Sequence, residues 1–322
     1  MIRWLVAKLL NALGLARDLC LEETLSTRFC YLRRMKHAIY VLLPLALLGC
    51  KKEKEDTNTA TTDQPSIIFT FRFDEDQARL DNFGNPSVIP AGHAAQTPEF
   101  HGISANYIEL TPNGFTPLGG GEIIYDGPQT TEGGESAIDF DLARIVAEDE
   151  MFVKMPLSAM EPGTYMFARV SLSYQNYEID FLASGLNLQG RIASFVGFNN
   201  YISSYTIDQQ TVEVNANKLQ GYWGFETLGQ VITGQAPAGA TTVVNPLWNT
   251  SPIPAGSCIV TGQFAEPLTI TGNETEDVVV VLSLSVNNSF EWIDDNGNGL
   301  YEPNAGEQVV DMGVRGLIPI AQ

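Results

Sequence analysis

The chain has 322 residues, of which 44% are apolar and 17% are charged, which is a globular composition and not a disordered one. Acidic residues outnumber basic residues by 38 to 18, which gives a net charge of −20. A surface of this sign repels phosphate backbones, so the composition argues against nucleic acid as a partner.

Residues 1–34 precede a second methionine, Met35, and contain two cysteines, Cys20 and Cys30. We interpret this stretch as a gene-start extension, with translation beginning at Met35. The alternative is a long leader that includes a weakly amphipathic helix around Trp4–Leu15.

A short apolar segment follows in residues 35–49. Lys36 supplies a positive charge, and the eleven residues Ala38–Leu48 are mostly apolar. A bilayer-spanning helix needs about 20 apolar residues, so this length predicts a signal peptide instead. The segment ends in Leu47-Leu48-Gly49-Cys50, which resembles the lipobox of Gram-negative bacterial lipoproteins. The resemblance implies that residues 35–49 are removed and that Cys50 carries the acyl chains that hold the protein to a bilayer.

Residues 50–65 are polar and predict a flexible tether between the anchor and the body. The run Lys51–Asp56 follows the cysteine directly. It resembles signals that place some lipoproteins on the outer leaflet, which implies an outer-membrane location, with the cell surface favoured over the periplasmic face. From Cys50 onward the chain holds 35 acidic residues (38 minus 3) and 11 basic residues (18 minus 7), so the mature net charge is −24.

Residues 66–322 alternate β-branched or aromatic runs with Gly, Pro, Asn and Asp, which predicts an all-β fold. We expect an antiparallel β-sandwich of the jelly-roll or immunoglobulin-like kind, built as one or two β units with a boundary near residues 234–254. One short helix is predicted within Ala137–Ala147. The predicted strands include Ile67–Phe73, Asn106–Leu110, Glu122–Tyr125, Met151–Met155, Tyr165–Phe181, Ser194–Ile207 and Val278–Trp292.

Two strand patterns and one cysteine predict which residues are buried. Tyr165–Tyr174 alternates with a period of two, which predicts a half-buried strand. Val278–Leu284 is almost continuously apolar, which predicts a strand covered on both faces. Once Cys50 is acylated, Cys258 has no partner in the mature chain, and we expect it to be a small core residue.

The most specific chemical pattern is Asp294-Asp295-Asn296-Gly297-Asn298-Gly299-Leu300-Tyr301-Glu302. It resembles the first half of the EF-hand and dockerin calcium loops, with oxygen-bearing residues at alternate positions and a glycine at the turn. The resemblance implies a structural calcium ion bound by Asp294, Asn296, Asn298, the Leu300 carbonyl and Glu302.

The resemblance ends at position 12 of the loop, where Ala305 stands in place of the bidentate glutamate. Glu307 and Asp311 are therefore the candidates to complete the coordination. The alternative is an Asn-Gly hairpin turn without a metal, which uses the same residue types to reach positive φ.

Two histidines, His93 and His101, flank Glu99 and predict a weaker site for a transition metal. The neighbouring residues 104–110 bear a faint similarity to a strand of methanobactin-associated periplasmic copper-binding proteins. We favour metal-free surface histidines, so copper or zinc is not expected. The alternative function is a periplasm-facing metal-binding lipoprotein that uses both histidines.

No nucleophile or metallohydrolase signature occurs in the sequence, and carboxylates are too abundant to indicate a glycosidase. We therefore predict a binding or structural module with a glycan or protein partner, and no enzymatic activity. Aromatic residues that stack on sugars are candidates for the glycan alternative: Tyr201, Tyr205, Tyr222, Trp223, Phe225 and Trp248.

Overall fold

The computed structural model describes residues 64–236 and 257–322. The predicted gene-start extension, signal peptide, lipidation site and most of the tether fall within residues 1–63, outside this part of the chain. Most of the predicted boundary at 234–254, with Trp248, also lies outside it. No helix among the described residues is long and apolar enough to span a membrane.

The described chain is built from β-strands, as the sequence predicts. Two single-turn 3-10 helices, Phe140–Leu142 and Leu157–Ala159, interrupt them. In chain order the strands are β1 Ser66–Asp74, β2 His93–Gln96, β3 Glu99–Thr111, β4 Glu122–Asp126, β5 Gln129–Thr130, β6 Ala137–Asp139, β7 Met151–Pro156, β8 Gly163–Ala183, β9 Leu186–Phe195, β10 Asn199–Thr206, β11 Thr211–Leu219, β12 Tyr222–Thr227, β13 Gln230–Gln235, β14 Cys258–Ile270, β15 Val278–Ser285, β16 Phe290–Ile293, β17 Val309–Met312 and β18 Leu317–Ala321.

These strands form four sheets. The central sheet has the order β13-β12-β9-β8-β3-β4, and β14 also pairs with β8. The closing sheet is β18-β15-β1-β7, the side sheet is β11-β10-β6-β5, and the distal sheet is β17-β16-β2. Most pairings are antiparallel, as predicted, but β1 with β15 and β6 with β10 are parallel. Because β13 and β14 share the central sheet, the chain on both sides of the predicted boundary belongs to one unit.

The 21-residue strand β8 organises the central sheet. β3 pairs with one of its edges from Phe167 to Glu178. On the other edge, β14 pairs with Gly163–Leu172 and β9 pairs with Tyr174–Ala183. The pairing partner on this edge changes from β14 to β9 at Ser173. The carbonyl of Ser173 accepts hydrogen bonds from the amides of Val196 (3.0 Å) and Gly197 (3.1 Å).

The main apolar core lies between the central and closing sheets. It contains the inward rows of β1, β8 and β15, including Phe69, Val170 and Leu282, all fully buried. From Val280 onward, β15 is buried on both faces, which confirms the prediction for this strand. Cys258 is buried in the same core, as expected, and burial raises the pKa of its thiol to about 12.

Two local predictions are wrong. The stretch Ala137–Ala147 contains β6 and a single 3-10 turn, because Ile138 pairs with Asn200 in the side sheet and Asp139 makes no side-chain capping bond. From Ala168 to Tyr177, β8 is buried on both faces, not on one: Arg169 is only 1% exposed. The loop between β3 and β4 covers that face, where the Gly114 carbonyl accepts a hydrogen bond from Arg169.

The strand pairings define two ends of the body, which we call proximal, where β1 and β8 begin, and distal, where β8 ends. At the proximal end, β8 begins at Gly163, which is opposite Ile270 at the end of β14. The first described strand begins there too, since the amide of Ser66 donates to Asp277 at 2.7 Å. At the distal end, β8 finishes at Ala183 and meets the distal sheet through an apolar cluster that includes Tyr177 and Trp292.

Truncating the core at Leu282 should destabilise the protein strongly. Leu282 is fully buried, whereas Leu186 is 51% exposed at the start of β9. We expect Leu282→Ala to lower the free energy of unfolding by about 2–5 kcal/mol, because the transfer and cavity penalties add. The matched substitution Leu186→Ala should change it by less than about 0.5 kcal/mol. Urea unfolding followed by circular dichroism measures both, and equal effects would contradict this core assignment.

Candidate metal centre

The predicted calcium loop connects β16 to β17 at the distal end. Its base is closed by two backbone hydrogen bonds, from Ile293 to the Gln308 carbonyl at 2.9 Å and from Asp294 to the Gly92 carbonyl at 3.0 Å. Residues 294–307 contain four carboxylates and no lysine or arginine. The fold therefore gathers like charges into one hairpin loop without a basic residue of its own.

The carboxylate of Asp294 organises the first turn of this loop. Its Oδ1 accepts the amides of Gly297 (2.9 Å) and Asn298 (3.2 Å), and its Oδ2 accepts the amide of Gly299 (2.9 Å). Gly297 and Gly299 both have positive φ, of 71° and 73°, which a side chain at either position would strain. The glycine spacing in the sequence is thus explained by the backbone of the loop.

Asn296, Asn298 and Glu302 converge inside the loop. Both asparagine Nδ2 groups donate to Glu302 Oε2, from Asn298 at 2.7 Å. Their Oδ1 atoms accept the amides two residues ahead, at 3.0 Å from Asn298 and 2.8 Å from Leu300. The structure therefore brings together three of the predicted ligand side chains. Leu300 itself is 46% exposed.

Glu307 is the buried member of the loop. It is 3% exposed, and its Oε2 accepts the amide of Glu302 at 2.6 Å. Its Oε1 is buried and has no hydrogen-bond partner. Burial raises the pKa of Glu307, and the nearby carboxylates of Asp294, Glu302 and Asp295 raise it further. A buried carboxylate oxygen that lacks a donor and lies among like charges is costly unless a proton or a cation compensates it.

The donor set of the loop fits a hard cation. Carboxylate and amide oxygens are the ligands that calcium prefers. Asn296 and Asn298 direct Nδ2 toward Glu302 and Oδ1 toward backbone amides, so a cation would bind their oxygens only after both side chains rearrange. Among the described residues, no three histidine, cysteine, aspartate or glutamate side chains are already grouped closely enough to hold a metal.

Aromatic packing fixes the loop to the body. The ring of Tyr301 lies 5.2 Å from that of Phe290 and 5.6 Å from that of Trp292, centroid to centroid. The Tyr301 carbonyl accepts the amide of Leu182, near the end of β8, at 2.7 Å. The loop therefore contacts the distal end of the central sheet directly.

Asp311, the other predicted completing ligand, lies outside the loop in a buried ionic cluster. Its Oδ2 is 2.5 Å from Arg315, and it pairs across the strands with Glu291. Glu291 also contacts Arg79 (2.6 Å), His93 (2.6 Å) and Arg315 (3.1 Å). No local pattern in the sequence predicts this cluster, because its members come from four separate segments of the chain.

The pKa values of the two carboxylates in this cluster shift in opposite directions. Burial alone would raise the pKa of Glu291, but hydrogen bonds from His93 and Arg79 and the charge of Arg315 outweigh it, so that pKa is lowered. Burial and the charge of Glu291 raise the pKa of Asp311 to about 6, against the opposing effect of Arg315.

The two histidines of the predicted transition-metal site have separate partners. His93 Nδ1 is 2.6 Å from Glu291 in the ionic cluster. His101 Nε2 is 3.9 Å from Glu99, and burial together with the charge of Arg191 lowers the pKa of His101. The neighbouring residues 104–110 lie in β3 and are all buried. The structure thus provides no shared ligand set for copper or zinc among these described residues.

The aromatic residues considered for glycan stacking lie mostly in the protein interior. Tyr201, Tyr205 and Tyr222 are 8%, 4% and 6% exposed. Tyr205 and Tyr222 contact Phe195 at centroid distances of 5.0 and 5.6 Å, in the core beneath the side sheet. Trp223 and Phe225 are half-buried in β12.

No family model, curated protein or solved structure matches this chain.

Removing the Asp311 carboxylate should alter the pH dependence of stability. Its folded pKa of about 6 exceeds the ordinary 3.8, so the folded state holds this proton more tightly than the unfolded chain does. This group therefore stabilises the fold most below pH 3.8, and that contribution is lost as the pH rises through 6. We expect Asp311→Asn to remove up to about 3 kcal/mol of this dependence.

Urea unfolding at a series of pH values between 4 and 7 measures this effect. The control is Glu213→Gln, which removes an exposed carboxylate in β11 and should leave the slope unchanged. An unaltered slope in Asp311→Asn would show that Arg315 keeps Asp311 ionised throughout this range.

Proposed function

We propose that this protein is a lipid-anchored outer-membrane protein, displayed at the cell surface, whose β-sandwich is a calcium-stabilised binding or structural module for a glycan or protein partner. The anchor is supported by the sequence alone, through the order of apolar run, lipobox and polar tether. The calcium site is supported by the sequence and by the geometry of the loop between β16 and β17.

The observation that carries the calcium proposal is the state of Glu307. Its Oε1 is buried without a donor beside Asp294 and Glu302, where a divalent cation would offset the repulsion. A metal-free Asn-Gly turn accounts for the glycines and the Asp294 hydrogen bonds. It does not account for a buried, unpaired carboxylate oxygen at this position.

The ion has a structural role in this proposal. Asp294, Asn296, Asn298, Glu302 and Glu307 would hold it, and its charge would compensate the four carboxylates of the loop. The loop anchors Tyr301 against Phe290 and Trp292, so a bound ion would stabilise the contact between the distal sheet and β8.

Calcium should raise the melting temperature of the full chain. At a free concentration 100 times its dissociation constant, a ligand of the folded state adds about 2.7 kcal/mol of stability. For a domain of this size we expect a rise of roughly 5–10 °C. Isothermal titration gives the affinity, and scanning calorimetry with calcium or a chelator gives the shift.

Glu307→Gln is the sharpest variant for this test. It keeps an oxygen that can accept the Glu302 amide but removes the buried charge, so it should abolish most of the calcium-dependent shift while folding normally. Asp295→Asn removes one charge from the same loop at a position that the ligand pattern does not use, and should retain the shift. A wild-type protein that shows neither heat nor a shift at millimolar calcium would leave only the hairpin turn.

Lipidation and display are tested on intact cells. By mass spectrometry, we expect the mature protein in the membrane fraction to begin at an acylated Cys50, and the unprocessed precursor to yield no peptide from residues 1–34. Added protease should shave the body from whole cells if it faces outward. Protection until the outer membrane is permeabilised would place it on the periplasmic face instead.

A further inference from the structure

An exposed aromatic residue lies in an uncharged loop near the proximal end of the body. Phe115 is 98% exposed, the most exposed of the large apolar side chains described. It belongs to residues 110–121, between β3 and β4, which contain no charged residue in a chain that is otherwise strongly acidic. The acidic surface thus has a neutral, apolar projection at this position.

Buried contacts hold this loop in place. Glu109 Oε1 accepts the amides of Gly119 (3.0 Å) and Gly121 (2.7 Å). Arg169 lies 3.6 Å from Glu109 and donates to the Gly114 carbonyl at 3.0 Å. Both charged side chains are almost completely buried, so the pair fixes both halves of the loop from inside.

The rest of the loop is packed as well. Leu118 is buried against Tyr107 and Ile259. A side chain at Gly121 would meet the Leu110 carbonyl at 2.3 Å, so the backbone there requires glycine. The exposure of Phe115 therefore belongs to an ordered loop, in which Phe115 alone among the large apolar residues points outward.

The topology places this loop at the end where the anchor enters. Thr111, the last residue of β3, is opposite Phe167, only four residues from the start of β8. The described chain begins at the same end, fourteen residues after Cys50. If Cys50 carries the lipid of the proposed function, a flexible chain of that length would have an r.m.s. span of about 20 Å and would keep the proximal end near the bilayer.

We propose that Phe115 and its loop contact the lipid bilayer that holds the anchor, and so orient the body with its proximal end down and the calcium loop facing away. An aromatic ring on an uncharged loop is suited to the membrane interface. A neutral loop also removes the repulsion that acidic residues would meet at anionic headgroups. This inference rests on the lipid anchor of the proposed function.

The test attaches an environment-sensitive fluorophore to the full lipidated chain in phosphatidylcholine vesicles, through Phe115→Cys or, as a matched control, Leu186→Cys. Leu186 lies at the distal end and is also exposed. Cys258 should not react at neutral pH, because it is buried and its thiol pKa is raised to about 12. We expect a blue shift and quenching by brominated lipid at position 115 and neither at position 186.

The possible outcomes separate the two proposals. If the protein floats with the vesicles but position 115 reports water, the anchor stands and the loop contact is overturned. If both positions report lipid, the body lies flat and the proposed orientation is overturned. A protein that does not float with vesicles lacks the anchor, which overturns both.

Discussion

The architecture depends on one long strand that is hydrogen-bonded along both edges and buried on both faces from Ala168 to Tyr177. β8 pairs with β3 on one side and with β14 and then β9 on the other, so every layer of the body is built against it. Its first half supplies Ala168, Val170 and Leu172 to the core beneath the closing sheet. Its second half supplies Tyr174 beneath the side sheet and Tyr177 beneath the distal sheet.

Burial on both faces has an electrostatic consequence. A strand of this kind takes polar residues inside, and each needs a partner there. Arg169 meets Glu109, and this pair supports the loop that carries Phe115. At the distal end, Glu291 contacts two arginines and a histidine, and these contacts connect strands from distant parts of the sequence. In both places buried charges position surface features that the apolar core does not reach.

Glu307 differs from these pairs because it has no ion pair with any basic residue in the described part of the chain. Its carboxylate faces other carboxylates in a loop whose backbone is already organised by Asp294. The proximal end carries the uncharged loop with Phe115 together with acidic residues such as Asp277, and the distal end carries the loop with four carboxylates. A protein held by a lipid at the proximal end would direct that charge away from the membrane.

The sequence by itself determined the all-β class, a strand covered on both faces within Val278–Leu284, the core position of Cys258 and the residue types of the acidic loop. These follow from local periodicity, turn residues and composition, which act over a few neighbouring positions. Only the tertiary structure decided that Glu307 turns into the loop while Asp311 joins Arg315, that His93 and His101 have separate partners, and that Arg169 is buried. Each of these depends on which strands pair. β1 pairs with β15, about 211 residues away, and β8 pairs with β14 although β9 to β13 lie between them in the sequence. Contacts over such separations are set by packing of whole sheets, and a local pattern carries no record of them.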